Sequence, residues 1–253
     1  MTGEAGVRVV KVTLAYEGTA FAGWQRQPGA RTVQDALEQS LAAIENGPVA
    51  VVAAGRTDAG VHARAQVVSA EVRNRLPGPV LLRALNVRLP EDVRVTAVED
   101  AAPDFNARRH ARAKVYHYTM AVGGDPGPFV RRLVWHIPQT LDVAAMATAA
   151  ALLTGEHDFA AFQAAGGDVK TSVRRLLRSR LVGAPGSPRY LHYQVMGTGF
   201  LRHMVRNIVG TLVDIGRRRW PPEEILAILQ SRSRQRAGAT APAQGLVLVK
   251  VHY

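Results

Sequence analysis

The stretch from Gly55 to Arg64 (Gly-Arg-Thr-Asp-Ala-Gly-Val-His-Ala-Arg) contains the residues best suited to chemistry. It places one carboxylate, Asp58, between two arginines and between two glycines, and strand-like apolar runs precede and follow it. Glycine lets a ligand approach the backbone closely, and a nearby positive charge favours the ionised carboxylate. An ionised Asp at the end of a strand suits a nucleophile or a base. The alternative is that Asp58 is a turn residue that bonds its own backbone.

Two other stretches carry candidate site residues. In Lys114-Val-Tyr-His-Tyr118, both tyrosines share one face of a predicted strand because side chains alternate. Tyr116 is therefore either a packing residue or a platform on which a base stacks. Arg206 lies at the flank of the apolar face of a predicted helix. If it is buried it needs a partner, for which Asp58 is a natural candidate. Otherwise it is a surface arginine with its stem along the core.

Two arginine clusters are open to more than one interpretation. Arg217, Arg218 and Arg219 end a predicted helix, where cations interact favourably with the helix dipole. A long, polar segment, 231–245, contains further arginines and is predicted to be a loop, solvated or mobile. Both clusters are candidates for phosphate contact, and both are equally well explained without it.

Composition narrows the class of protein. The 253 residues carry a formal charge of +12 and a pI near 10.9, which favours a polyanionic partner, most simply nucleic acid. There is no cysteine, and no zinc pattern, P-loop or dinucleotide motif is found, so neither a metal nor a cofactor is predicted. No apolar run is long enough to cross a bilayer. Residues 1–6 lack the basic and apolar regions of a signal peptide, so we expect a cytoplasmic protein.

The order of the predicted elements indicates an α+β fold with two halves, residues 1–103 and 104–253. Each half reads strand, helix, strand, strand, helix, strand, with one short extra helix in the second. This is the ferredoxin-like pattern, in which helices cover one face of a sheet. We expect two antiparallel sheets joined edge to edge around a basic RNA-binding cleft. The predicted strands are 7–16, 49–54, 66–72, 93–98, 113–122, 173–182, 190–196 and 246–251, and the helices are 32–44, 79–86, 141–153, 200–215 and 221–230.

Several motifs, in order along nearly the whole chain, resemble those of the tRNA pseudouridine synthase A family. The Gly55–Ala63 stretch resembles that family's catalytic motif. The other matching stretches are Phe21-Ala-Gly-Trp-Gln-Arg-Gln27, Thr32-Val-Gln34, Leu85-Asn-Val-Arg-Leu-Pro90, Phe105-Asn-Ala-Arg-Arg109, Tyr116-His-Tyr118, Gly199-Phe-Leu-Arg-His-Met-Val-Arg206 and Ala241-Pro-Ala-Gln-Gly-Leu246.

The resemblance implies an isomerase that converts uridine to pseudouridine at positions 38, 39 and 40 of the anticodon stem-loop of tRNA. It further implies a homodimer in which one tRNA contacts both subunits. By resemblance, Asp58 is the nucleophile or base, and Tyr116 stacks on the target uracil. Arg206 pairs with Asp58, and Arg56 helps to hold the flipped nucleotide's place or its phosphate.

Two alternatives remain on the residues alone. One is an RNA-binding protein without chemistry. The other is a glycosidase that cuts the same bond and transfers the base to water, for which a second carboxylate beside the first is generally needed. None lies within the Asp58 loop, although Asp35, Asp104 and Asp214 are candidates to approach it.

Overall fold

A computed structural model describes residues 6–166, 169–184 and 186–253. The chain forms two compact units. The first contains the residues up to Arg112 together with Leu248–Tyr253, and the second contains Ala113–Val247. The prediction about residues 1–6 falls almost wholly outside the described residues. The division into 1–103 and 104–253 came from element order and stays a prediction.

Both units contain strands and helices. The first unit contains β1 (Arg8–Tyr16), α1 (Val33–Glu45), β2 (Val51–Ala53), β3 (His62–Val72), α2 (Gly78–Arg88) and β4 (Val93–Ala101). The second contains β5 (Ala113–Val122), β6 (Trp135–Ile137), α3 (Val143–Leu152), β7 (Gly155–Asp158), β8 (Val173–Ala184), β9 (Ser187–Gly197), α4 (Met204–Gly216) and α5 (Glu224–Ser231). Strand β10 (Leu246–His252) returns the chain to the first unit. The predicted α+β class is confirmed.

The first unit is built on the strand order β4-β1-β3-β10, with the short β2 also paired to β3. Strand β1 runs antiparallel to both β3 and β4. One face of β1 is buried through alternate residues, the last of which is Tyr16. Helix α1 begins where the side chain of Thr32 accepts a hydrogen bond from the backbone N–H of Asp35, as the sequence predicts. It ends at Asn46, which is left-handed (φ 53°).

The second unit has the order β5-β9-β8-β7, and β6 lies parallel to β5. The β8–β9 hairpin is antiparallel, and so is the β5–β9 pair. Helix α4 is the centre of this unit, since all its residues except Arg206 are buried. Among the described residues, no helix is both long and apolar enough to span a membrane.

Three sequence predictions need correction. Strand β3 begins at His62 and not at Gln66. Helix α4 begins at Met204 and not at Phe200, because His203 has a left-handed backbone (φ 58°) that interrupts a helix. Strands β6 and β7 were not predicted.

Part of the segment 231–245 is packed against α4, although the sequence predicts a long, polar loop there. Ala237 and Ala241 are buried. The backbone N–H of Gly238 donates to Thr211 Oγ1 on α4 at 2.9 Å. Small side chains explain the packing, since a Cβ added at Gly210 would lie 1.7 Å from the carbonyl oxygen of Ala239. The backbone of the segment therefore lies directly on the helix.

Candidate active site

Asp58 lies in the loop between β2 and β3, within the first unit. The loop turns sharply after it, since the N–H of Val61 donates to the carbonyl oxygen of Asp58 at 3.1 Å, and Gly60 has φ +77°. Asp58 itself is half-buried, Arg56 is exposed and Thr57 is buried. The sequence prediction that this Asp is displayed at the end of a strand is consistent with these positions.

A second loop, residues 17–24, holds the Asp58 loop through its backbone. The N–H of Trp24 donates to the Thr57 carbonyl at 3.0 Å, and the N–H of Gly60 donates to the Phe21 carbonyl at 3.2 Å. Gly23 (φ +97°) permits this approach, because an added Cβ would lie 2.7 Å from the Thr57 carbonyl oxygen. The two loops therefore form one rigid layer around Asp58.

Polar side chains in the core support the Asp58 loop from below. The hydroxyls of Tyr16 and Thr57 are 2.8 Å apart. The side-chain amide of Gln66 donates to the carbonyl oxygen of Gly55 at 2.8 Å. Burial raises the pKa of Tyr16 to about 12, against the opposing effect of its hydrogen bonds with Thr57 and Gln66. The phenol therefore keeps its proton at any pH at which the protein works.

Tyr116 and Tyr118 lie on β5 in the second unit, and both are buried. The ring of Tyr116 meets Phe200 edge to face at a centroid distance of 5.0 Å. Tyr118 is a structural residue, since its hydroxyl donates to the carbonyl oxygen of Pro242 at 2.8 Å and Gly245 lies against its ring. Burial raises the pKa of Tyr118 above its usual value, and the charge of Arg206 opposes the rise.

Arg206 occupies the first turn of α4 and is half-buried. Its Nε donates to the carbonyl oxygen of Ala241 at 2.8 Å, and the N–H of Ala241 donates back to the Arg206 carbonyl at 3.1 Å. The next residue, Asn207, is fully buried and accepts from Thr240 Oγ1 at 2.7 Å. The packed segment 237–241 thus fixes the backbone and the guanidinium orientation of Arg206 together.

Most arginines of the two basic clusters have carboxylate partners. Arg219 and Arg217 approach Asp214 at 2.9 and 3.6 Å, and Arg218 approaches Asp142 at 3.4 Å. In the second cluster, Arg232 pairs with Asp158 and Arg236 with Glu224. These contacts favour the structural interpretation over phosphate binding.

A glycosidase would need a second carboxylate beside Asp58, and two of the three candidates for it form ion pairs with arginines. Asp214 is buried between two arginines. Asp35 pairs with Arg26 at 2.8 Å, and Asp104 is exposed. Asp35 and Asp214 are thus both engaged by arginine side chains.

Three residues that support the site, Tyr16, Gln66 and Asn207, are not marked by any of the sequence motifs. The first two look like ordinary strand residues. The only signal for Gln66 is a polar side chain directly before the apolar run Val67–Val68. Among the described residues, no three His, Asp or Glu side chains are grouped so as to hold a metal ion.

Comparison with known proteins gives the family. Residues 13–108 and 149–253 match the family model described as tRNA pseudouridine synthase. The chain is 48% identical to tRNA pseudouridine synthase A of Moorella thermoacetica over 246 residues, covering 96% of this chain and 99% of the relative. It is 48% identical to the same enzyme of Solidesulfovibrio magneticus (96% and 90% covered) and 44% identical to that of Syntrophotalea carbinolica (97% and 96% covered). With matches that span both units, the chain belongs to the tRNA pseudouridine synthase family.

Proposed function

We propose that Asp58 is the nucleophile or base with which this enzyme isomerises uridines 38, 39 and 40 in the anticodon stem-loop of tRNA. Family membership makes the chain an isomerase that converts uridine to pseudouridine in tRNA. The observation that carries the role of Asp58 is its place in a loop whose backbone is bonded on both sides of it, at Thr57 and at Gly60. A carboxylate held in this way meets its substrate without reorganisation.

The reaction is an internal rearrangement. The bond between N1 of uracil and C1′ of ribose breaks, the base turns over, and C5 bonds to C1′. The hydrogen on C5 leaves to solvent as a proton, and N1 gains one. Nothing is oxidised and no group is imported, so the balance requires no cofactor.

Three routes use an ionised carboxylate. It attacks C1′, removes a sugar proton to give a glycal, or adds to C6 of the base. In each route the target base must first leave its stack, at a cost of a few kcal/mol. Phosphate contacts from a strongly basic protein supply the binding that offsets this cost.

The remaining site residues are assigned supporting roles by the family resemblance. Arg206 is assigned as the partner of the Asp58 carboxylate. Tyr116 stacks on the target uracil, with its ring held edge to face by Phe200. Arg56, which is exposed, holds the place of the flipped nucleotide or its phosphate.

Three further proposals concern assembly and location. The order of elements in the first unit supports a ferredoxin-like half, and we propose the same arrangement for the second. Family resemblance supports a homodimer in which one tRNA contacts both subunits. A tRNA substrate supports a cytoplasmic location.

The decisive experiment measures tritium release from tRNA labelled at C5 of uridine, comparing the wild type with Asp58→Asn. The wild type is expected to release tritium and the variant to release none while still binding tRNA. Asp104→Asn is the matched control, since it removes the same charge from an exposed residue of the same unit. Release by Asp58→Asn at the wild-type rate would refute the proposal. Base release without tritium release would indicate a glycosidase.

Arg206 is tested by separating turnover from binding. Arg206→Ala is expected to lower the single-turnover rate more than the affinity for tRNA. Arg217→Ala, at the other end of the same helix, is the control, because Arg217 pairs with Asp214. An equal loss of rate and affinity in Arg206→Ala would make Arg206 a plain binding residue.

A further inference from the structure

A small polar cluster is buried in the core of the first unit, directly beneath the Asp58 loop. Its members are Tyr16, Thr57 and Gln66, whose exposed fractions are 4%, 7% and 0%. Burying polar groups costs free energy unless they are hydrogen-bonded. The neighbours of Tyr16 on the same face of β1 are aliphatic. An apolar side chain at this position would therefore match the rest of the core. The cluster therefore calls for an explanation beyond packing.

The hydrogen bonds of the cluster connect strands β1 and β3 to the Asp58 loop. Gln66 Oε1 accepts from the backbone N–H of Val67 at 3.2 Å, which fixes the orientation of the amide. Gln66 Nε2 then donates to the Gly55 carbonyl at 2.8 Å and lies 3.5 Å from the Tyr16 hydroxyl oxygen. The hydroxyl oxygens of Tyr16 and Thr57 lie 2.8 Å apart, and either hydroxyl can be the donor of that bond.

We infer that Tyr16 and Gln66 are positioning residues of the active site, which set the backbone of Gly55–Asp58 and hence the direction of the Asp58 carboxylate. Thr57 directly precedes Asp58, and it is held twice: its hydroxyl by Tyr16 and its carbonyl by the N–H of Trp24 at 3.0 Å. These two bonds restrain the Thr57 backbone on the side of its hydroxyl and at its carbonyl. This inference rests on the proposed role of Asp58.

The register of the strands explains how the cluster reaches the loop. Strand β1 pairs with β3 regularly up to Leu14 and Gln66, and then the register shifts so that Tyr16 lies opposite Ala63. Such a bulge bends the strand and re-aims its side chains. Tyr16, the last residue of β1, is thereby placed under the loop that precedes β3.

The second unit contains a matched control for the loss of a buried hydroxyl. Tyr193 is as buried as Tyr16, and its hydroxyl lies 2.8 Å from Ser179 Oγ. It has no assigned part in catalysis. Tyr193→Phe and Tyr16→Phe therefore each remove a buried bond between two hydroxyls, and only the second variant frees a residue next to Asp58.

The experiment measures the single-turnover rate of tritium release, tRNA affinity and the melting temperature for both variants. Tyr16→Phe is expected to lower the rate about 10-fold or more, since misplacing a reacting group by ångström distances has effects of this size. Its affinity for tRNA should change less than about twofold. Tyr193→Phe should melt at a lower temperature by a similar amount, with an unchanged rate. Gln66→Met should behave as Tyr16→Phe does.

If Tyr16→Phe fails to fold, a second pair of variants tests whether the bond between Tyr16 and Thr57 positions Asp58. Thr57→Ser keeps the hydroxyl and should retain the rate, whereas Thr57→Val should lose it. The double variant Tyr16→Phe, Thr57→Val should be no slower than the slower single variant, because both substitutions remove the same bond between Tyr16 and Thr57.

Three results would overturn the inference. They are a wild-type rate in Tyr16→Phe and Thr57→Val, an equal loss of rate in Tyr193→Phe, or a loss confined to tRNA affinity. Each of these is separable from failure of the proposed function, which would show instead as full activity in Asp58→Asn.

Discussion

Replacing Gly210 by alanine tests whether the segment 237–241 fixes Arg206. In an open helix this change would stabilise the protein by about 1 kcal/mol, because alanine has the higher helix propensity. Here the added Cβ would lie 1.7 Å from the Ala239 carbonyl oxygen, and the closest contact that such an atom tolerates is 3.0 Å. The segment or the helix must therefore move by at least 1.3 Å.

That movement is large enough to break the hydrogen bonds that Ala241, two residues after Ala239, makes with Arg206. Ala241 and Arg206 are joined by bonds of 2.8 and 3.1 Å, and both are lost if the segment recedes by this distance. Overpacking costs about 1–3 kcal/mol, and each hydrogen bond contributes about 1 kcal/mol. After the gain in helix propensity, the free energy of unfolding should fall by about 2–4 kcal/mol.

The assay combines thermal unfolding with single-turnover tritium release. Gly210→Ala should melt several degrees lower, as about 2–4 °C per kcal/mol is expected for a unit of this size. The rate should fall about 10-fold or more through displacement of Arg206. Gly183→Ala is the control, since nothing lies within 4 Å of an added Cβ there. Wild-type melting and rate in Gly210→Ala would refute the idea that this segment is rigidly packed and positions Arg206.

Three other predictions concern stacking, phosphate contact and pH. Tyr116→Phe should retain part of the activity and Tyr116→Leu should lose it if the ring stacks on uracil, with Phe200→Leu separating stacking from the edge-to-face packing; equal loss in the Phe and Leu variants would point to the hydroxyl. The logarithm of tRNA affinity should fall linearly with the logarithm of salt concentration, and a flat dependence in filter-binding measurements would contradict a phosphate-dominated interface. Hydrogen bonds from Ser172 and Ala160, and the charge of Arg232, lower the pKa of Asp158, so its stabilising effect is present above pH of about 4 and is lost as the pH falls through the lowered pKa. Melting curves of the wild type and Asp158→Asn should therefore converge on acidification, and a constant difference would show that Asp158 is not the group responsible.

The local pattern of apolar and polar residues predicts most helices and strands of this fold. Strand β5 has the predicted bounds, Ala113–Val122, and the helix predicted to begin at Thr32 is capped by the side chain of that residue. Pattern failed at the start of α4, where the apolar residues continue through Phe200 and Leu201. The helix is interrupted there by the left-handed backbone of His203, which no periodicity in the sequence reveals.

The segment 231–245 shows a different limit. Its composition of arginine, serine, alanine and glycine is typical of a solvated loop. It is packed because Gly210 on α4 and Gly238 in the segment let two backbones approach each other. These two residues are far apart in sequence, and each by itself looks like an ordinary helix or loop glycine. Complementarity of this kind becomes visible only when both surfaces are in place.

The same mode of support recurs at both proposed catalytic positions. Asp58 is placed through the backbone of its neighbours, which bond to residues 17–24, and Arg206 is placed through reciprocal bonds with Ala241. In each case a glycine, Gly23 or Gly210, makes the approach sterically possible. A sequence reveals a reactive side chain by its chemical type, but it reveals the glycine opposite only as a small residue. Substitutions at such glycines should therefore impair catalysis as strongly as many changes at residues that touch the substrate.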